Sequence, residues 1–178
     1  MSENPVKYLK QMVIRHVKDD KLAIACLHVL NDEAFQEAPA SSNSTHEHHC
    51  YPGGLPVHTA EVLDIVLGMS HIQGLDIQVL VVATIFHDYM KVRDYYRQED
   101  GKYVKRQYAK RIHHIHGSFG EFIRLTEGVN QNLRDEIGHV ILSHHGRPEW
   151  GSLIEPQSKE AIVFHMADML SAQFGEAR

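Results

Sequence analysis

His87 and Asp88, two potential metal ligands, stand side by side where the apolar run VLVVATIF ends, and Lys91 follows three positions after the aspartate. A single polar residue there would read as a helix cap. An imidazole beside a carboxylate offers two donors to one cation. Residues of the same kind recur in apolar surroundings. His58 lies one turn into the segment opened by Gly53-Gly54, His144-His145 end HVILSHH, and Asp168 sits inside FHMADML. An unpaired buried aspartate is costly, and a cation would satisfy it. Each feature alone has an ordinary reading: a cap, a satisfied core histidine, an aspartate paired with an arginine, a solvated helix end. Four of them on four apolar segments of one short chain point to a metal centre in a helical core.

Neutral imidazoles with a few carboxylates suit one or two ions of Mn, Fe, Co or Ni, with Zn also compatible, more than Mg or Ca. A carboxylate can bridge two ions, and two ions about 4 Å apart can hold a hydroxide and clamp a phosphoryl group. Lys91, one turn past Asp88, would then meet a phosphate oxygen or the developing negative charge; its plain reading is a solvated lysine. His165 is three residues before Asp168, shares its helix face and is expected to orient a ligand. His46, His48 and His49 flank a glutamate in a loop, and Trp150 reads as a packing anchor.

The elements that must position these residues read as helices. Residues 6–30 show apolar positions three and four apart, divided at Asp19-Asp20. Residues 38–54 carry turn formers and read as a loop. Residues 55–70 resume helical spacing, and DIQVLVVATIFHDYM, nearly all apolar, is expected at the centre of the fold. Residues 93–111 are charged and tyrosine-rich, with Asp100-Gly101 marking a turn. Helices are expected again over 112–127, over NLRDEIGHVILSHHG with Gly146 as its cap, and after Ser158. No strand is expected. The reading is an all-α compact bundle of about six or seven helices. It is one domain over 1–178, with a helical extension and loop over 1–47 and a metal-site core over 48–174.

Composition bounds the function. Net charge is −5, which argues against coating nucleic acid with the whole surface. The 15 histidines nearly match the 18 lysines and arginines, so a histidine-based chemistry deserves priority. Cys26 and Cys50 form no CxxC pair, so a reducing, cytoplasmic setting is expected. The opening MSENPVKYLK is too polar for a signal peptide, and no stretch suits a membrane span. Residues 102–111, KYVKRQYAKR, hold Lys102, Lys105, Arg106, Lys110 and Arg111 with Tyr103 and Tyr108 between them. They are candidate phosphate and base contacts, as is Arg147, against the plain reading of a solvated face.

The order His58, His87-Asp88, a middle histidine, His144-His145, Asp168 resembles the HD-domain metal-dependent phosphohydrolase superfamily. It is most similar to the HD catalytic domain of bacterial 3′-to-5′ exoribonucleases of the YhaM type. HHCYPGGLPVHTAEV, TIFHDYMKV, HVILSHHGRPEWGS and EAIVFHMADMLSAQ carry the likeness. It implies two neighbouring metal sites, with His58, His87, Asp88 and Asp168 as core ligands, His144 as a ligand and His145 as a second contact. RIHHIHGSF offers His113, His114 and His116, and the family's Gly-His-Ile fits His114-Ile115. The implied activity is hydrolysis of a phosphoester in a nucleotide or nucleic-acid 3′ end by a metal-activated hydroxide. The alternatives are an HD-fold diiron oxygenase and a non-catalytic metal- or nucleotide-binding module. Met90 replaces the family's glycine after the HD pair. Exoribonucleases of this type carry a nucleic-acid-binding domain before this region, where about 47 residues stand here. Long-RNA processivity is therefore not expected, and a partner protein would supply substrate recognition.

Overall fold

The computed structural model describes residues 4–42 and 49–174; His46 and His48 lie outside the described residues. The helices are α1 Pro5–His16, α2 Asp20–Asn31, α3 Glu33–Glu37, α4 Gly54–Gly68, α5 Ile77–Phe86, α6 Gln107–Arg111, α7 His114–Leu125, α8 Gln131–Ser143 and α9 Lys159–Phe174. Single 3-10 turns occupy Tyr89–Arg93 and Pro148–Trp150. Seven of the described helices have ten residues or more, and α3 and α6 have five each. The long ones match the all-α expectation.

α5 is the centre. Every residue from Val79 to Phe86 is buried, and the helix packs against α1, α2, α4, α7, α8 and α9. Its sequence explains this: a helix apolar on all sides is stable only when surrounded. Each fully buried valine or leucine contributes about 1.5–3 kcal/mol of transfer free energy, so enclosing α5 dominates the bundle. The helix starts are set locally. Asn4, Asp19, Asp32, Asp76 and Asn130 accept hydrogen bonds from first-turn backbone N–H groups, and Ser158 Oγ does so from Ala161 at 3.1 Å.

The expectation that no strand occurs fails at one place. β1 Tyr95–Arg97 pairs antiparallel with β2 Tyr103–Lys105, in the register Tyr95 to Lys105, Tyr96 to Val104 and Arg97 to Tyr103. Gly101, at φ +85°, makes the turn after Asp100. Periodicity could not reveal strands of three residues that hardly alternate in burial. The hairpin is held from outside its ladder: Arg106 Nε donates to the Tyr95 carbonyl at 2.7 Å, and the Arg106 N–H donates to the Asp94 carbonyl at 2.7 Å.

α8 ends where the sequence placed its cap. Gly146 has φ +84° and donates its N–H to the Ser143 carbonyl at 2.8 Å. A side chain there would also overlap the His165 ring. Glycine is thus required both by backbone conformation and by the closeness of α9.

Candidate metal centre

α4, α5, α7, α8 and α9 converge on one carboxylate. Asp88 follows directly on the end of α5, 2% exposed, and its two oxygens face different neighbours. Oδ2 lies 3.5 Å from His58 Nε2, 3.4 Å from His87 Nε2 and 2.6 Å from Lys91 Nζ. Oδ1 lies 3.3 Å from His114 Nε2 and 3.6 Å from His144 Nε2. On the first side Asp168 Oδ1 approaches His58 Nε2 at 3.1 Å and His87 Nε2 at 3.7 Å. On the second side His145 joins Asp88, His114 and His144, with donor atoms of the four within 4.8 Å of one another.

The orientation of each imidazole has a local cause. His87 Nδ1 meets the Thr84 carbonyl at 2.8 Å, and His144 Nδ1 meets the Ile141 carbonyl at 2.7 Å. Both are the same device: a histidine just past a helix satisfies a carbonyl that the helix leaves unpaired. His145 Nδ1 meets the Trp150 carbonyl at 2.9 Å, and His114 Nδ1 meets Asp94 Oδ2 at 2.9 Å. His58 Nδ1 lies 3.0 Å from Ser171 Oγ, whose hydrogen is committed to Glu61 Oε2 at 3.0 Å. Carbonyls, carboxylates and a hydroxyl oxygen whose hydrogen is engaged can only accept. Nδ1 therefore carries the hydrogen in all five rings, and Nε2 turns a lone pair inward.

Two of those ring nitrogens and one carboxylate oxygen lack a donor. Asp88 Oδ1, His114 Nε2 and His144 Nε2 are buried without a hydrogen-bond partner. Buried acceptors facing one another are unfavourable by themselves, and divalent cations satisfy them all at once. The donor set, imidazole nitrogen with carboxylate oxygen, fits a transition-metal ion on either side of Asp88.

Electrostatics keeps most of the donors in ligating form; His87 is the exception, because Asp88 outweighs burial and raises its pKa. Burial works to raise the Asp88 pKa, but Lys91 foremost, with His87 and His114, outweighs it and holds the carboxyl well below the ordinary range. Burial likewise opposes ionised Asp168, but the imidazoles around it, His58 foremost, outweigh burial and hold it low. Burial pushes the His58 and His114 pKa values down, and takes His145 down to about 3 with help from His144. Lys91 is held above its ordinary range, because Asp88 outweighs the effect of burial. The carboxylates are thus charged, and these three imidazoles neutral, at neutral pH.

A cavity of about 360 Å³ opens onto the centre. His58, Lys91, His144, His145, His165 and Asp168 line it, together with Trp150. Trp150, read above as a packing anchor, is 52% exposed and stacks on His165 with ring centroids 6.2 Å apart. His165 Nδ1 donates to the His144 carbonyl at 2.8 Å, and so braces the turn that carries the histidine pair.

Of the three middle histidines, His114 alone turns a donor to Asp88. His113 lies beside it with φ +67°, and His116 is exposed. His49 is buried, with its ring centroid 5.6 Å from that of His58 and Nε2 3.0 Å from Glu61 Oε2. Arg147, Lys105 and Arg106 do not line this cavity. The Arg147 guanidinium lies over Trp150 at 5.1 Å, Lys105 is exposed, and Arg106 lines a different cavity. Asp94, Ser171 and Glu61 went unread. Asp94 stands in a charged run, RDYYRQED, where nothing in type or spacing separates a buried acid from a solvated one.

The chain is similar to known proteins. The chain is 33% identical over 148 residues to the 3′-5′ exoribonuclease YhaM of Shouchella clausii (strain KSM-K16), covering 80% of this chain and 44% of that protein. It is 30% identical over 142 residues to the protein of that name from Bacillus licheniformis, covering 78% and 44%. It is 30% identical over 145 residues to the one from Geobacillus sp. (strain WCH70), covering 80% and 43%. The chain spans less than half the length of these relatives. No solved structure matches it. The HD domain model matches residues 57–173, a span that contains every donor around Asp88, and the chain belongs to the HD domain family.

Proposed function

We propose that the chain is a metal-dependent phosphohydrolase that cleaves a phosphoester of a nucleotide or of a nucleic-acid 3′ end. The observation that carries this reading is the Asp88 carboxylate, whose two oxygens face two separate sets of imidazole nitrogens. Family membership supports a metal-dependent hydrolase, and the printed activity of the relatives supports a nucleic-acid substrate. A cytoplasmic setting belongs to the same reading, from two cysteines that form no CxxC pair; no described helix is long and apolar enough to cross a membrane.

His58, His87, Asp88 and Asp168 would hold one ion, and Asp88, His114, His144 and His145 the other. Bound there, divalent ions supply Lewis acidity for the attack of water on phosphorus. The remaining work falls to the chain. The Nδ1 partners fix each ring so that no reorganisation accompanies binding. Lys91, charged and on the cavity wall, neutralises a phosphoryl oxygen and orients the group beside Asp88. His165 braces the His144 turn.

The test is elemental analysis of protein purified without a histidine tag, followed by hydrolysis of bis-(p-nitrophenyl) phosphate with Mn, Fe, Co, Ni or Zn. We expect about two ions per chain and metal-dependent release of nitrophenol. No retained ion after reconstitution, or oxygen uptake in place of hydrolysis, would overturn the reading.

A further inference from the structure

A second cavity, of about 410 Å³, meets the metal centre at Lys91, which lines both. It runs between the hairpin and the chain around Ala38 and Pro52. Its size falls within the roughly 300–1,000 Å³ of small-molecule sites, and three cationic side chains are set into walls that are otherwise largely apolar and aromatic. Lys91, Arg97 and Arg106 face a single acid, Glu37, and Tyr96 stands beside them, 42% exposed.

The guanidinium groups are held in place. Arg106 Nε donates to the Tyr95 carbonyl at 2.7 Å, and Arg97 Nε donates to the Gly101 carbonyl at 3.3 Å. Each bond uses Nε and leaves the terminal nitrogens with no ion pair among the described residues. Planar donors of this kind suit phosphate oxygens. The Arg106 guanidinium lies over one face of the Tyr96 ring, 5.9 Å from its centroid, so a base would stack on the opposite face of this partly exposed ring. Phosphate contact next to a stacking surface is how single-stranded nucleic acid is gripped without sequence preference.

We propose that this cavity is a nucleotide subsite, in which Arg97 and Arg106 meet a phosphate and Tyr96 stacks on the base. The nucleotide bound there is the neighbour of the phosphoester at Asp88, reached past Lys91. That register rests on the phosphohydrolase reading; the binding itself does not.

The test uses the full, metal-loaded chain and a short labelled phosphorothioate oligonucleotide, which keeps charge and bases while resisting cleavage. Binding is read by fluorescence anisotropy. Cleavage of the ordinary oligonucleotide is compared with that of bis-(p-nitrophenyl) phosphate, which has no nucleoside to fill the cavity. We expect Tyr96→Ala and Arg106→Ala each to weaken oligonucleotide binding about tenfold. Each should raise the oligonucleotide KM in proportion and leave aryl-phosphodiester turnover unchanged. Arg15→Ala, an equal charge loss at an exposed position of α1 lining neither cavity, should bind as the parent does. Tyr96 is the variant to trust if loss of Arg106 opens the hairpin. Parent-like binding by both variants, or no binding by the parent, would overturn the subsite. Binding that depends on Tyr96 and Arg106 in a protein that hydrolyses neither substrate supports the subsite and removes the phosphohydrolase reading.

Discussion

The two sides of Asp88 are built differently. On one side His58 and His87 are joined by a second carboxylate, Asp168, and all three come from or directly follow the long helices α4, α5 and α9. On the other side three imidazoles gather on Asp88, and a further acid, Asp94, stands behind His114. The first side offers one negative charge and part of another to an ion, and the second offers part of one. A cation should therefore be held harder at the first, and the second should depend more on how well its rings are positioned.

Several substitutions would break or sharpen that comparison. Asp88→Ala removes the shared ligand, and retained metal should fall from about two ions per chain to almost none, with hydrolysis down by more than about 10³-fold. Elemental analysis and aryl-phosphodiester turnover measure both, and full activity would contradict a bridging role. Next in size, Asp168→Ala and His114→Ala should each leave about one ion, and activity should drop by at least about 100-fold in either case. Chelator titration of the parent should strip one ion before the other. The ion kept by Asp168→Ala should be the weaker of the two; equal retention in both variants would erase the asymmetry.

Asp94→Asn is expected to weaken only the ion on the His114 side, by roughly 10–100-fold, through loss of a charged partner for Nδ1. Isothermal titration of the metal into stripped protein separates the two sides, and a change on the Asp168 side would show that Asp94 serves the whole centre.

The smallest effect is that of pH on the ion-stripped protein. Burial depresses the His58 and His114 pKa values and takes His145 to about 3, so below roughly pH 6.5 the unfolded chain binds protons that the folded chain refuses. Asp94 and His87 act oppositely: burial raises Asp94 to about 6, and, against burial, Asp88 raises His87, so the folded state takes their protons first. Three sites outweigh two. Stability should fall on acidification from about pH 6.5 toward 3, by about 1–3 kcal/mol per unit where the sites titrate together. Urea melts across that range check the sign, and stability rising on acidification would contradict these environments.

The helices were readable because their apolar residues recur at helical spacing, and α5 because it is apolar all round. The donors His58, His87, Asp88, His144 and Asp168 stood out as polar groups in apolar segments, where a polar group needs a reason. Choosing His114 over His113 and His116 needed the family pattern, because the three lie within one turn. Asp94 and the hairpin were hidden for a common reason: their surroundings in sequence are polar, so burial and pairing leave no periodic mark. Lys105 and Arg106 show the converse. Adjacent and alike in type, they face different places, which only the hairpin's register decides.

His87 and His144 each cap the C-terminus of a helix, α5 and α8. A helix carries partial negative charge at that end, equivalent to about half an electronic charge. Two such ends therefore point at the place where Asp88 and Asp168 already put negative charge. Before any cation arrives, two carboxylates and two helix ends leave this corner net negative, even with Lys91 beside Asp88. On the proposed function, loading should consequently be ordered, with the ion entering first and reversing the sign of the field that a phosphoester then meets.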